Sequence, residues 1–241
     1  MEWDLGNLNM AAEVMMPTDK QYQEKYLVGM KLLLLHKNTL IQSGDHNYST
    51  FLELYQRVER STMLDFDRAH FLFQAVKATR HLEGCTAECG VYKGGGSVLI
   101  HSISPERKHY AMDTFDGFPD LISDSDVHEE GHFSDVSIEN IKEMFDDYNN
   151  IVMLKGKFSE SFEKIQHEVF SFVYIDADLY LSTLQCCDFF YPRLLKGGIM
   201  LLDDYLIPDT PGVKKAVDEF FTAKDEFPIV LPTCQAMVFK T

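Results

Sequence analysis

Two pairs of acids stand where two apolar runs end. The run Phe172–Ile175 is followed at once by Asp176, with Asp178 two positions later, and "LLDDY" delivers Asp203 and Asp204. Residues two apart in an extended segment point to the same side, and neighbouring strand ends lie about 5 Å apart. Carboxylates brought that close repel one another unless a cation or a proton joins them. Oxygen donors in such a cluster suit Mg²⁺, Mn²⁺ or Ca²⁺. Either pair alone reads better as capping, with Asp178 or Ser182 starting the next helix and Asp203 or Asp204 in a turn. Two pairs at successive strand ends favour a metal.

A second group of candidates lies upstream. "ECGVYKGGG" places Glu88 before Gly90, Gly94, Gly95 and Gly96. Glycines there allow a tight turn into a helix and close approach of a ligand to the backbone. The spacing is E-x-G-x-x-x-G-G, not the G-x-G-x-x-G that cradles a pyrophosphate. An acid in front of the glycines suits a ligand carrying an ammonium or another positive group. The other reading is a glycine-rich turn with no ligand. In "MDTFDGFP", Asp113 leaves the next apolar run where an acid can accept from both hydroxyls of a ribose, or simply cap a turn. His128 and His132 lie in an acidic stretch from Asp116 to about Asp135. A loop of this length in a compact domain is often a lid, and either histidine is a candidate base or an ordinary surface residue. No G-x-S-x-G elbow and no G-x-x-x-x-G-K-[ST] loop is present, which weighs against serine hydrolases and P-loop enzymes.

The elements that must position these residues alternate. After Gly84, short apolar runs ("CTAECGVY", "KHYAMDTF", "NIVMLKG", "FSFVYID", "GGIMLLDDY") are interleaved with helical stretches ("VSIENIKEMFDDY", "SESFEKIQ", "STLQCCDFFYPRLL", "GVKKAVDEFF"). Such alternation implies an α/β protein with a mainly parallel sheet covered on both faces. "PIVLPT" and "CQAMVFKT" close the chain as two strands so near in sequence that one must run antiparallel. Ahead of Gly84, helical spacing is predicted over 19–42 (Tyr22, Tyr26, Met30, Leu33, Leu34) and over 65–82, with Asp65 or Asp67 as N-cap. We read a single domain, with 1–83 a helical extension that could serve dimer contacts and 84–241 the core.

With 241 residues, 45% of them hydrophobic, the chain can bury one sizeable core. Its 22 basic and 38 acidic residues give a formal charge of −16, which disfavours nucleic acid and anionic membrane as partners. Five cysteines without a C-x-x-C pair fit reduced thiols in a cytoplasm better than a disulfide framework or a zinc site. No secretory signal or membrane span is legible.

These residues resemble class I S-adenosylmethionine-dependent methyltransferases, and more narrowly the macrocin O-methyltransferase family, which methylates sugar hydroxyls of macrolides and related natural products. The matching pieces are "AECGVYKGG", "MDTFDGFPD", "GHFSDVSIENIKEMF", "VMLKGKFSESF", "FVYIDADLYLSTLQCCDFFYPRLLKGG", "LLDDY" and "PGVKKAVDEFF", in order over most of residues 20–240. The resemblance implies a Rossmann-like, seven-stranded methyltransferase sheet with S-adenosylmethionine at the first two strand ends and Mg²⁺ beside it. Glu88 and the turn of Gly90, Val91, Tyr92, Gly94 and Gly95, with Ser97, would hold the methionine end. Asp113 would bind the ribose and the segment around Ser159–Ser161 would flank the adenine, with Thr114, Phe115, Gly156 and Phe158 also among the cofactor contacts. Asp176 and Asp178 would lie near the sulfonium. Asp176, Asp203 and Asp204 would be the metal ligands, and Asp178, His128 or His132 the base. The acceptor would be a small molecule with a vicinal diol, sugar or catechol hydroxyl. Two rivals stand beside this reading: a nucleotide-binding oxidoreductase, which lacks its G-x-G-x-x-G here, and a non-catalytic binding protein of the same fold.

Overall fold

The computed structural model describes residues 46–118, 123–128 and 130–241; the helix predicted over 19–42 lies outside them. The chain divides into two compact units, Met1–Thr50 and Phe51–Thr241, and the second carries everything that follows. Helix α1 (His46–Val58) crosses that boundary. Within the second unit, Phe51 of α1 meets Phe66 and Phe73 of α2 (Phe66–Ala78) at ring-centroid distances of 5.1 and 5.4 Å. Asp65 caps α2, its side chain accepting from the amides of Asp67 (3.0 Å) and Arg68 (2.9 Å). Helix α2 ends at Ala78, short of the predicted 82.

Strands β1 (Cys85–Cys89), β2 (His109–Asp113), β3 (Ile151–Lys155), β4 (Phe170–Ile175) and β5 (Leu194–Leu202) alternate with α3 (Gly95–Ile103), α4 (Ile138–Asp146), α5 (Phe158–Ile165) and α6 (Tyr180–Phe190). Helix α7 (Pro211–Phe221) and strands β6 (Ile229–Val230) and β7 (Ala236–Phe239) complete the unit. The seven strands run in the order β3-β2-β1-β4-β5-β7-β6. The first five are parallel, and β7 is antiparallel to β5, as the short connection between the last two strands required. The chain builds outward from β1 to β3, then crosses back to β4 and builds the other way. With right-handed crossovers, that reversal sends helices to opposite faces.

Every residue of β4 is buried, which is why its sequence is an unbroken apolar run and not an alternating one. Below it, Phe162 of α5 stacks on Phe189 of α6 at 4.2 Å, and Phe190 meets Phe170 edge-on at 4.9 Å. Pro192 follows in a single 3₁₀ turn and ends α6. Strand β5 starts at Leu194, earlier than "GGIMLLDDY" implied, because its pairing with β4 tolerates a register shift between Phe170 and Phe172. Strand β6 is only two exposed residues at the sheet edge, where short strands offer little to pair with another chain. Among the described residues, no helix is long and apolar enough to cross a membrane. Phe190→Ala is expected to lower unfolding stability by about 3–5 kcal/mol, read from the denaturant midpoint with an unchanged slope.

Candidate active site

The carboxyl ends of β1 and β4 flank the point where strand order reverses, which is where ligands bind in open α/β sheets. A cavity of about 410 Å³ opens there. Its floor depends on one close approach. Gly90 has φ +89°, and a Cβ on it would sit 1.7 Å from the backbone oxygen of Asp176. The Asp176 amide donates to Cys89 O at 2.8 Å, pressing the two strand ends together. Four non-glycine residues just past strand ends are left-handed: Tyr92 (φ 50°), Phe115 (55°), Asp178 (57°) and Asp204 (56°). Such backbone costs of order 1–3 kcal/mol per residue and clusters at functional sites.

From β1, Glu88, Gly90, Val91 and Tyr92 line the cavity. Glu88 is buried, and its carboxyl is pushed up to about 8 by that burial and by Asp113 nearby, against the Ser97 hydroxyl that donates to it. Gly94, Gly95 and Ser97 do not reach the cavity wall. Gly94 starts α3 in a left-handed conformation, and Gly95 donates its amide to Ser61 O at 2.8 Å. From β2, Asp113 and Thr114 line the cavity and Phe115 does not. Asp113 accepts from the amides of Val91 (2.7 Å), Tyr92 (2.9 Å) and Phe115 (2.8 Å). It therefore locks the turn after β1 to the turn after β2, and Thr114 Oγ1 lies 3.3 Å from its Oδ1. Gly156, Phe158 and Ser159 supply the wall beyond β3.

At the ends of β4 and β5, ligand oxygens of Asp176, Asp178 and Asp204 lie within 4.8 Å of one another. That trio has Asp178 where the expected set of Asp176, Asp203 and Asp204 has Asp203, which lies beside Asp176 with Tyr174 OH between them. Asp203 Oδ2 accepts from Tyr174 OH at 2.7 Å and from Arg68 Nη1 at 2.8 Å, while its Oδ1 is buried without a hydrogen-bond partner. Burial and mutual repulsion raise Asp176 and Asp178 well above the usual carboxylate range. Burial also lifts Asp203 to about 6, in spite of Arg68. Arg68 reaches Asp204 as well (3.3 Å) and is anchored by Asp65 (3.2 Å) and Met63 O (2.8 Å). Burial opposes its charge, and Asp203, Tyr174 and Asp176 outweigh that opposition.

The roof comes from the segment between β2 and α4. Phe118 and Phe133 meet at 5.2 Å, Tyr92 abuts Phe133 at 5.6 Å, and both phenylalanines line the cavity. Asp126 ties the roof down by accepting from the Tyr180 amide at 2.8 Å. His128 packs on Phe118 at 5.3 Å and lies 5.9 Å from His132; neither histidine lines the cavity. Sequence reading missed Arg68, Tyr174 and Asp126. Arg68 and Asp203 are 135 positions apart, and no local pattern reports such a meeting. Arg68→Met is expected to cost about 3–5 kcal/mol at pH 8, as when one partner of a buried pair is removed. The loss shrinks at pH 5, where the raised carboxyls hold protons and no longer repel. Denaturant unfolding at the two pH values checks it.

Comparison with known proteins agrees with this geometry. The family model described as macrocin-O-methyltransferase (TylF) matches residues 56–230. Demethyldecarbamoylnovobiocin O-methyltransferase of Streptomyces niveus is 27% identical over 203 residues, 74% of this chain and 77% of that protein. Mycinamicin III 3''-O-methyltransferase of Micromonospora griseorubida is 26% identical over 179 residues, 66% and 69% of the two chains. The solved structure of the O-methyltransferase NovP superposes with a TM-score of 0.67 at 25% identity, covering 75% of this chain and 82% of that one. The chain belongs to the macrocin O-methyltransferase family of S-adenosylmethionine-dependent O-methyltransferases.

Proposed function

We propose that the chain methylates a hydroxyl of a small-molecule natural product, one of a vicinal pair on a sugar or catechol-like ring, with help from Mg²⁺ or a similar oxygen-preferring cation. One observation carries this reading. The acid trio Asp176, Asp178 and Asp204 opens into the same cavity as Glu88, Gly90 and Asp113. A cationic donor and a divalent cation are the two partners such a wall is short of.

The donor set fits both. Glu88 at the Gly90 turn faces the ammonium end of S-adenosylmethionine, Asp113 the ribose, and Gly156 to Ser159 the adenine. Asp176 and Asp204 hold the cation, with the unpartnered Oδ1 of Asp203 as a further donor. When bound, S-adenosylmethionine supplies a methyl group already activated on a sulfonium. A cation held there would supply Lewis-acid chemistry that makes a hydroxyl beside it more acidic. The remaining work belongs to the chain. Asp178 stands beside the cation ligands with a carboxyl raised by burial and by Asp204, and in its ionised form it is the group placed to accept a proton. Asp178 would take the hydroxyl proton as the acceptor oxygen gained the methyl group and the carbon–sulfur bond broke. The aromatic roof of Phe118 and Phe133 excludes water and packs a ring-shaped acceptor. The geometry favours Asp178 over His128 and His132, which stay off the cavity wall.

Mg²⁺ should raise the thermal midpoint, and more at pH 8 than at pH 5.5. The folded carboxyl pKa values lie above their unfolded ones, so without metal these groups cost stability as pH rises past about 4. The ion offsets that cost where the acids are ionised, and protons displace it at low pH. Asp204→Asn should abolish the Mg²⁺ increment. Asp178→Asn should keep it while losing methyl transfer at least a hundredfold, the lower range for a lost general base. An Asp178→Asn protein that lost the increment would make Asp178 a ligand instead of the base. An unaltered increment in Asp204→Asn would remove the metal from this reading.

A further inference from the structure

Behind Glu88 runs a chain of polar groups that touches no part of the cavity. Ser97 Oγ donates to Glu88 Oε2. His109 Nε2 lies 3.0 Å from Ser97 Oγ, and His109 Nδ1 lies 2.9 Å from Thr86 Oγ1. The members come from β1, α3 and β2, and all four side chains are at most 2% exposed. Only Glu88 reaches the cavity wall. There its Oε1 is so close to Gly96 that a Cβ on that residue would approach to 2.1 Å.

Each hydroxyl in the chain has one hydrogen, and a neutral imidazole has one N–H. With Glu88 ionised, every hydrogen points toward it: Thr86 O–H to Nδ1, Nε2–H to Ser97, Ser97 O–H to the carboxylate. With Glu88 protonated on its other oxygen, Oε1, all three bonds survive unchanged, Ser97 still donating to Oε2. Neither state puts a charge on His109. The proton exchanges with the cavity, which Glu88 alone of the four reaches, and no heavy atom has to move.

We propose that Glu88 releases a proton to the cavity when the cationic methionine end of S-adenosylmethionine binds and regains it on release, with Ser97, His109 and Thr86 as a donor chain that holds its carboxyl in place in both states. Ser97 and His109 are thus positioning residues acting through Glu88; this rests on the binding mode proposed above. The electrostatics agree. Burial, with His101 of α3 nearby, pushes His109 down to about 3, so it stays neutral throughout. Burial and Asp113 of β2 push Glu88 up to about 8, so the free protein holds the proton at neutral pH. The other charged groups lining the cavity are Lys157 beyond β3, Asp176 and Asp178 beyond β4, Asp204 beyond β5, Asp126 of the roof and Arg68 of α2. A bound cation favours the ionised form and lowers the carboxyl pKa.

The test is titration calorimetry of S-adenosylmethionine at pH 7 in two buffers of different ionisation enthalpy, on wild type and Glu88→Gln. Wild type should release close to one proton more per site than Glu88→Gln; the ligand's own amine titrates alike in both. The wild-type Kd should fall as pH rises from 6 to 8 and then level, while that of Glu88→Gln shows no such Glu88 step. Ser97→Ala removes a donor to the carboxylate and should move the step to higher pH. Where Ser97→Ala fails to fold, the wild-type and Glu88→Gln comparison decides alone. Equal proton release by those two proteins overturns the proposed proton release by Glu88 and leaves the methyltransferase reading standing. No S-adenosylmethionine binding by wild type at any pH from 6 to 9 overturns both.

Discussion

Four carboxylates converge at the ends of β4 and β5, and the rest of the unit is arranged around their repulsion. Parallel pairing of Ile175 with Leu202 brings the residues that follow, Asp176 and Asp203, side by side. Charges in a partly desolvated cleft cannot stand so close without compensation. Arg68 supplies part of it from α2, and Tyr174 adds a hydroxyl from inside the sheet. The helical segment from Phe51 onward is thereby bound to the chemistry: removing α2 would remove the one cation that bridges Asp203 and Asp204 among the described residues.

The same end of the sheet carries its backbone strain. Left-handed turns at Tyr92, Phe115, Asp178 and Asp204 each follow a strand by two or three residues. They are held by bonds that cross between strands, such as the three amides gathered by Asp113 and the Asp176 amide on Cys89. A site so built is preorganised, its carboxyls fixed by the backbone at the cavity wall. That costs folding stability, which the fully buried β4 and the aromatic stack of Phe162, Phe189 and Phe190 restore.

Much of this was legible in the chain. Alternation of apolar runs and helical stretches gave the parallel sheet, and the short spacing of the last two runs gave the antiparallel β7. Glu88, Gly90, Asp113, Asp176 and Asp178 lie where their places after apolar runs put them, at one end of the sheet. Boundaries were less legible. Pro192 ends α6 and β5 then begins at once, because pairing with β4 decides where a strand starts. Ser97, which the family resemblance places among the cofactor contacts, donates inward to Glu88 and lies 3.0 Å from His109, a packing that no local pattern reports.

What the sequence by itself determined is what repeats locally: the period of burial, the glycine turn, and the delivery of acids to the ends of buried strands. Each depends on residues within a few positions of one another, so composition and spacing suffice. Tertiary structure alone decided which acids share a neighbourhood and which cation meets them. Arg68 meets Asp203 across 135 positions, His109 reaches Glu88 only through Ser97, and Asp126 finds the start of α6 from 54 residues away. Those meetings are set by the order of strands in the sheet and the face each helix takes, and no short stretch of sequence encodes either.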